Sequence, residues 1–252
     1  MKHHPIRYLF VITGTTRGLG KALADEALRQ SGSFVVSFSR AAPSIQRDHQ
    51  TIRIDLTHRH EIGPAFGHIE IDRDRLRGLT HCVLINNAGV LEPIAPLVDG
   101  DDELIAGNIQ TNLVAPMILS RHFFHFCKRF PGRKWIINLT SGASQSPYYG
   151  WSAYGAAKAG IDMATRIMGA EFSKNDPDFA ACAIAPGTLD TRMQEKIRRS
   201  SREQFEQVDK FIRLKETGGL DSPGHAAAKI IRLLLQGRLE NGKRYDLRKL
   251  DD

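Results

Sequence analysis

The chain has 252 residues, is 41% hydrophobic and carries a formal net charge of +7, a composition that suits one buried core. No apolar run approaches the roughly 18 residues a membrane span needs, and no repeat, low-complexity tract or linker divides the chain, so one domain over 1–252 is expected. The charge invites a nucleic-acid partner, but the basic residues are scattered, with one richer patch at Lys196–Lys215, and no DNA- or RNA-binding motif accompanies them.

From the amino end the sequence runs directly into an apolar strand without the pattern of a cleavable leader. Strand-like and helix-like segments then alternate, which predicts a parallel sheet of about seven strands covered by helices on both faces. Strands are predicted near Leu9–Ile12, Phe34–Phe38, Ile52–Ile54, Val83–Ile85, Trp135–Asn138, Ala180–Ile184 and Arg244–Leu247. Helices are predicted over Gly18–Gln30, a short stretch near Ile62–Leu76, a long one at Asp102–Arg129, Ser152–Lys174, the Thr191–Lys215 region and Pro223–Gln236. Cys82, Cys127 and Cys182 are odd in number, far apart and form no C-x-x-C, which fits a reducing, cytoplasmic setting.

The first strand ends in a glycine turn that contains Gly14, Thr16, Arg17, Gly18, Leu19 and Gly20 and opens a helix. Such a turn lets backbone approach a pyrophosphate, whose charge the helix amino end attracts. The second strand ends Ser39-Arg40, where many dinucleotide folds place a carboxylate for the ribose hydroxyl. Arg40 and Arg17 can pair instead with a 2′-phosphate, which predicts NADP(H) as the cofactor. Asp55, followed by Leu56, closes the third strand and can bond an adenine amino group. After the fourth strand, the small residues of Asn86-Asn87-Ala88-Gly89 let a cofactor pass close to the backbone.

The fifth strand ends at Ser141, on the side where open α/β sheets bind ligands. Tyr154 and Lys158 stand four apart at the start of the next helix, so they share a face. A phenol has a pKa of about 10, and an ammonium beside it favours the phenolate, which suits an acid/base. Asn112 lies in the long helix, just before the breaker Pro116, where backbone groups can open and hold a water. A substrate pocket is expected from Leu91, Tyr148, Tyr149, Trp151, Leu189, Met193 and Phe211, with Ser141 and Tyr154 as its polar groups. The Pro147–Trp151 loop suits either that pocket or a subunit contact, and the 191–215 region either a surface helix or a lid. His58, His60, Glu61 and His68 lack the spacing of a helical metal pair, and no metal site is expected.

Taken together, Thr13–Gly20, Asn86–Gly89, Asn112, Ser141, Tyr154–Lys158 and Pro186-Gly187 resemble the short-chain dehydrogenases/reductases over nearly the whole chain. The resemblance implies a single-domain Rossmann-type, doubly wound fold and a carbonyl reductase. It gives Tyr154 as acid/base, Lys158 as its partner and a ligand of the nicotinamide ribose, Ser141 as the carbonyl's anchor and Asn112 as the holder of a water. Pro186, Gly187, Thr188, Leu189 and Thr191 would border the nicotinamide, and residues 189–220 would form a lid. Within the family, Ala185–Met193 is similar to sepiapterin reductases and to bacterial benzil reductases, the second likeness being the closer. Aromatic ketones or vicinal diketones are therefore the expected substrates, with pteridine and 3-oxoacyl reductases as alternatives and an NADP-sensing protein as a remote one. The sepiapterin likeness would place a substrate-binding aspartate at Asp246. Family members pair through the helices of Asn112 and Tyr154, which implies a homodimer or homotetramer, with Ile161, Met168 and Phe172 as candidate contacts.

Overall fold

The computed structural model describes residues 5–128 and 130–250; Arg129, where the long helix was expected to end, lies outside them. Its strands are β1 Tyr8–Thr13, β2 Ser33–Ser39, β3 Ser44–Ile45, β4 His49–Arg53, β5 His81–Asn86, β6 Arg133–Leu139, β7 Phe179–Ala185 and β8 Arg244–Asp246. They form one sheet in the order β3-β4-β2-β1-β5-β6-β7-β8, parallel except for the two-residue β3. That short antiparallel edge strand is the one the sequence pattern did not predict.

Alternation along the strands divides the core into two layers, because successive side chains point to opposite faces. Leu9, Val11, Leu84 and Ile136 enter one layer, and Phe10, Ile12, Val83, Ile85 and Ile137 enter the other. The first layer is covered by α2 Arg59–Ala65, α4 Ala115–Cys127 and α5 Ser152–Asn175. The second is covered by α1 Gly18–Arg29 and α8 Pro223–Leu235. Every central strand is buried on both faces, which explains their unbroken apolar runs.

The long helix is not continuous. It consists of α3 Asp102–Ile109, a π-turn at Gln110–Val114, then α4. Around Ile62–Leu76 only α2 is regular, and Pro64 lies within it; 3-10 turns at 66–68 and 73–78 follow. The 191–215 region divides into α6 Arg192–Arg198 and α7 Val208–Glu216, with Ser201 and Gln204 exchanging hydrogen bonds in the break. No helix among the described residues is long and apolar enough to cross a membrane.

Two expectations are corrected here. Cys82 of β5 and Cys127 of α4, 45 positions apart, are joined as a disulfide across the core, leaving Cys182 as the buried free thiol. The cysteine pattern therefore gives no support to a reducing compartment. Ile161 and Met168 are buried in the core layer under α5 and Phe172 is half-buried against it, so the large apolar side chains that this helix exposes are Met163 and Ile167.

Strand order reverses at β1, which lies between β2 and β5, and the crevice of such a sheet opens there. Asn87 ties the two sides together. Its Nδ2 donates to the carbonyls of Thr13 (2.9 Å) and Gly14 (3.3 Å), while the Thr13 hydroxyl accepts from the Asn87 and Ala88 amides (3.0 and 2.9 Å). Asn87→Ala strips both carbonyls of that donor, so stability should fall by about 1–3 kcal/mol. The check is urea unfolding: a lower midpoint at unchanged slope is expected, and an unchanged midpoint would show the tie to be dispensable.

Candidate active site

A crevice of about 1000 Å³ runs along the carboxyl ends of the strands. Its floor near β1 is the glycine turn. Gly14 and Gly18 have φ of +72° and +55°, in the left-handed region that suits glycine. A Cβ on Gly20 would overlap the Gly14 carbonyl and the Asn87 amide, so only glycine allows α1 to start this close to β1. The turn can accordingly receive a pyrophosphate on bare backbone at a helix amino end. Thr16, Arg17, Leu19, Arg40, Asp55, Leu56, Asn87, Ala88 and Gly89 line the same stretch. Burial works to raise the Asp55 carboxyl, but two hydrogen bonds from Thr57 and the charges of Arg40 and His58 outweigh it and hold it below the usual range. Asp55 and Arg40 are thus close enough to feel each other. The glycine cradle and the polar side chains beside it fit a dinucleotide.

Glu61, considered above with three histidines, instead accepts from the Asp55 amide (3.0 Å) and meets His58 Nδ1 (3.0 Å), so it shapes the end of β4.

Farther along, Ser141, Tyr154 and Lys158 all line the crevice. Burial pushes the Tyr154 phenol up, and a hydrogen bond from Ser141 works against it. Lys158 Nζ lies 5.7 Å from the Tyr154 ring centre and donates to the Leu139 carbonyl at 2.9 Å. Burial lowers Lys158 from 10.5 to about 8, against the charge of Asp162 one turn on. The lysine was expected to lower the phenol, whereas burial, the largest influence on it here, raises it. A protonated phenol is the form that can give a proton to a carbonyl oxygen.

Asn112 lies behind this wall, in the π-turn. Its side chain donates to the Val90 carbonyl (2.8 Å) and Asn108 Oδ1 (2.7 Å) and accepts from the Val90 amide (3.2 Å). Pro116 has no N–H to offer the Asn112 carbonyl, so that oxygen lacks its usual helical donor. A Cβ on Gly89 would meet Asn112 Oδ1 and approach Lys158 Nζ, which places both beside that glycine.

Pro186, Gly187, Thr188, Leu189 and Thr191 border the crevice after β7, and a Cβ on Gly18 would come within 3.4 Å of Thr191 Cγ2. Leu91, Tyr148, Trp151, Met193 and Phe211 line it too, whereas Tyr149, expected beside them, is exposed and does not. Trp151 stacks on Phe205 (4.5 Å between centres, 7° between planes) and meets Tyr154 edge-on at 5.7 Å. Asp246 does not line the crevice. Its carboxylate is held by Arg248, which does. Sequence reasoning missed Glu92, Gln194, Lys196 and Arg248, all of which line the site. Glu92 and Lys196 form an ion pair across the mouth, joining the loop after β5 to α6. The basic patch at Lys196 was a usable signal, but nothing in sequence identified its acidic partner.

The model of the short chain dehydrogenase family matches residues 9–202. This chain belongs to the short-chain dehydrogenase family. Members are oxidoreductases that use nicotinamide cofactors. The chain is 38% identical over 244 residues to a benzil reductase ((S)-benzoin forming) of Bacillus subtilis (strain 168), covering 96% of this chain and 98% of that one. It is 28% identical over 252 residues to a sepiapterin reductase of Meriones unguiculatus, covering 94% of each. Among solved structures, that of the KRED1-Pglu enzyme superposes with a TM-score of 0.79 at 27% identity, covering 94% of this chain and 99% of that one.

Burial of Lys158 has a cost that pH reveals. Below about 8 the ammonium is charged in the fold and in the unfolded chain, and its desolvation penalty, on the order of 3 kcal/mol, is fully present. Between about 8 and 10.5 the unfolded chain holds more protons on this group, so the penalty shrinks as pH rises. Lys158→Met should therefore be inactive yet more stable than the wild type at pH about 7, with the gap narrowing toward pH about 10. Thermal melts at several pH values decide it; a mutant equally destabilised throughout would contradict the burial penalty.

Proposed function

We propose that the chain is an NADPH-dependent carbonyl reductase acting on aromatic ketones or vicinal diketones. The observation that carries this reading is that Ser141, Tyr154 and Lys158 line one crevice together with the aromatic side chains of Tyr148, Trp151 and Phe211. The bound cofactor would supply the hydride that reaches the carbonyl carbon. Ser141 holds the carbonyl oxygen, and Tyr154 gives that oxygen its proton as negative charge develops there. Lys158 holds the nicotinamide ribose and its positive charge steadies the phenolate left behind. A water on the Asn112 carbonyl then returns a proton through Lys158.

The absence of a carboxylate at the end of β2, with Arg17 and Arg40 lining the site there, supports NADPH over NADH. Residues 189–220 act as a lid carried by α6 and α7, and the Lys196–Glu92 pair latches it over the substrate. The likeness to a benzil reductase at 38% identity supports a diketone substrate. A sepiapterin-type pteridine reductase is the second reading, but the carboxylate it requires is engaged by Arg248 here. A 3-oxoacyl reductase shares the chemistry without the aromatic wall, and a non-catalytic sensor has no use for Tyr154. Exposed Met117 on α4 and Met163 and Ile167 on α5 suit a homodimer or homotetramer paired through those helices.

Tyr154→Phe removes one hydroxyl and keeps the ring, so turnover should fall by about 10²–10⁴-fold while NADPH still binds. Near-normal turnover in the mutant would exclude Tyr154 as the acid. Arg40→Asp sets a carboxylate against the 2′-phosphate, and preference should move toward NADH with a loss for NADPH of roughly 2–4 kcal/mol. Comparative kinetics with the two cofactors measure it; an unchanged ratio would leave Arg17 holding the phosphate.

A further inference from the structure

Arg248 follows β8, at the edge of the sheet far from β2 and Arg40, so it is no part of the arginine pair at the ribose end. The 3-10 turn at 247–249 begins at Asp246, whose Oδ1 accepts from the Arg248 amide (3.2 Å). The same carboxylate takes the guanidinium in a fork, Nε to Oδ1 at 2.9 Å and Nη2 to Oδ2 at 2.6 Å. Beneath it, the stem of Arg248 lies so near Gly187 that a Cβ there would come within 3.2 Å of Arg248 Cγ. Asp246 is nearly buried, its side chain 9% exposed, whereas that of Arg248 is 59% exposed and lines the crevice. The cation is thus fixed on one edge and open on the other, with Nη1 unengaged among the described residues. Tyr148 is near enough to act on its charge, its stem packs on Gly187, and the crevice it lines also holds Ser141 and Tyr154.

Ser141 and Tyr154 between them can serve one carbonyl oxygen. The proposed vicinal diketone has a second, and a second acceptor taken from water into an apolar pocket is costly without a donor. Trp151 Nε1 is a nearby alternative, but it is buried and reaches no partner. We propose that Arg248, held in place by Asp246, is the specificity residue that anchors the carbonyl not being reduced, so that the site selects carbonyl compounds with a second oxygen on the adjacent carbon. This rests on the carbonyl-reductase reading above and extends it to the substrate class. A guanidinium held by a planar fork keeps its orientation and is well suited to this role.

The test compares benzil with deoxybenzoin, which is the same molecule without one carbonyl, on the full chain with NADPH. Arg248→Met keeps the stem on Gly187 and loses the donor. Its kcat/KM should fall roughly 10- to 100-fold for benzil and change by less than about threefold for deoxybenzoin, with NADPH affinity by fluorescence titration unaltered. Arg248→Lys keeps a charge without the fork and should recover part of the benzil activity. If the wild type reduces benzil alone, loss of benzil turnover in Arg248→Met at unaltered NADPH affinity supports the inference, and a parallel loss of NADPH affinity overturns it. Equal losses on both substrates, or no loss on benzil, overturn the inference and leave the reductase reading intact. A wild type that reduces neither ketone removes the reductase reading, and this inference with it.

Discussion

The site depends on how closely two backbones approach at the middle of the sheet. β1 leaves the sheet through Gly14 and returns as α1, while β5 leaves beside it through Asn87 and Ala88. A Cβ on Gly14 would come within 3.0 Å of the Ala88 backbone, and one on Gly20 would collide with Gly14 and Asn87. Two glycines and one amide side chain therefore set the width of the gap. Because that gap is narrow, α1 begins at the crevice floor with its unpaired amides facing inward. The phosphate end and the Asn87–Gly89 wall are consequences of the same packing.

At the other end of the crevice the governing quantity is desolvation. Tyr154 and Lys158 are both buried, and burial acts on each to favour the neutral form. The fold retains this unfavourable pair by surrounding it with fixed polar groups. Leu139 offers a carbonyl to Lys158, and Ser141 a hydroxyl to Tyr154. A second layer holds these in place: Arg244 donates to the Ser141 carbonyl (3.0 Å) and to Asp162 (2.9 Å), joining β8, the loop after β6 and α5. The short edge strand β8 thus steadies the loop that carries Ser141 through Arg244, and the turn that follows it sets Arg248 in the wall of the crevice.

Much of this was legible in the residue order because it depends on local chemistry. Short apolar runs marked the strands, glycine spacing marked the turn, and the four-residue step of Tyr154 and Lys158 put them on one helix face. What was not legible depended on how one element meets another. Asp246 looked like a ligand contact because a carboxylate near a strand end can point into a crevice. Instead it caps the turn that follows and holds the guanidinium of Arg248, which lines the crevice. The Cys82–Cys127 pairing required the register of α4 on β5, which no local pattern contains. The direction of the Tyr154 shift depended on burial, and a sequence motif specifies the neighbouring lysine but not the solvent. Glu92 and Lys196 are separated by a hundred positions, and only the path of α6 brings them together.

The position of β1 has a consequence for the order of events during folding. Its partner β5 begins at His81, paired with Tyr8, and parallel pairing at that separation is slow because the chain must first close a long loop. The amino-terminal strand, its glycine turn and β2 can meet early, yet the far wall of the phosphate cradle does not exist until β5 docks. The residues around Tyr154 wait longer, since Ser141 is steadied by Arg244, near the carboxyl end. On a ribosome, a nascent chain would therefore acquire half a cofactor site well before it could acquire any chemistry, and the ability to bind a dinucleotide would mark progress through folding rather than its completion.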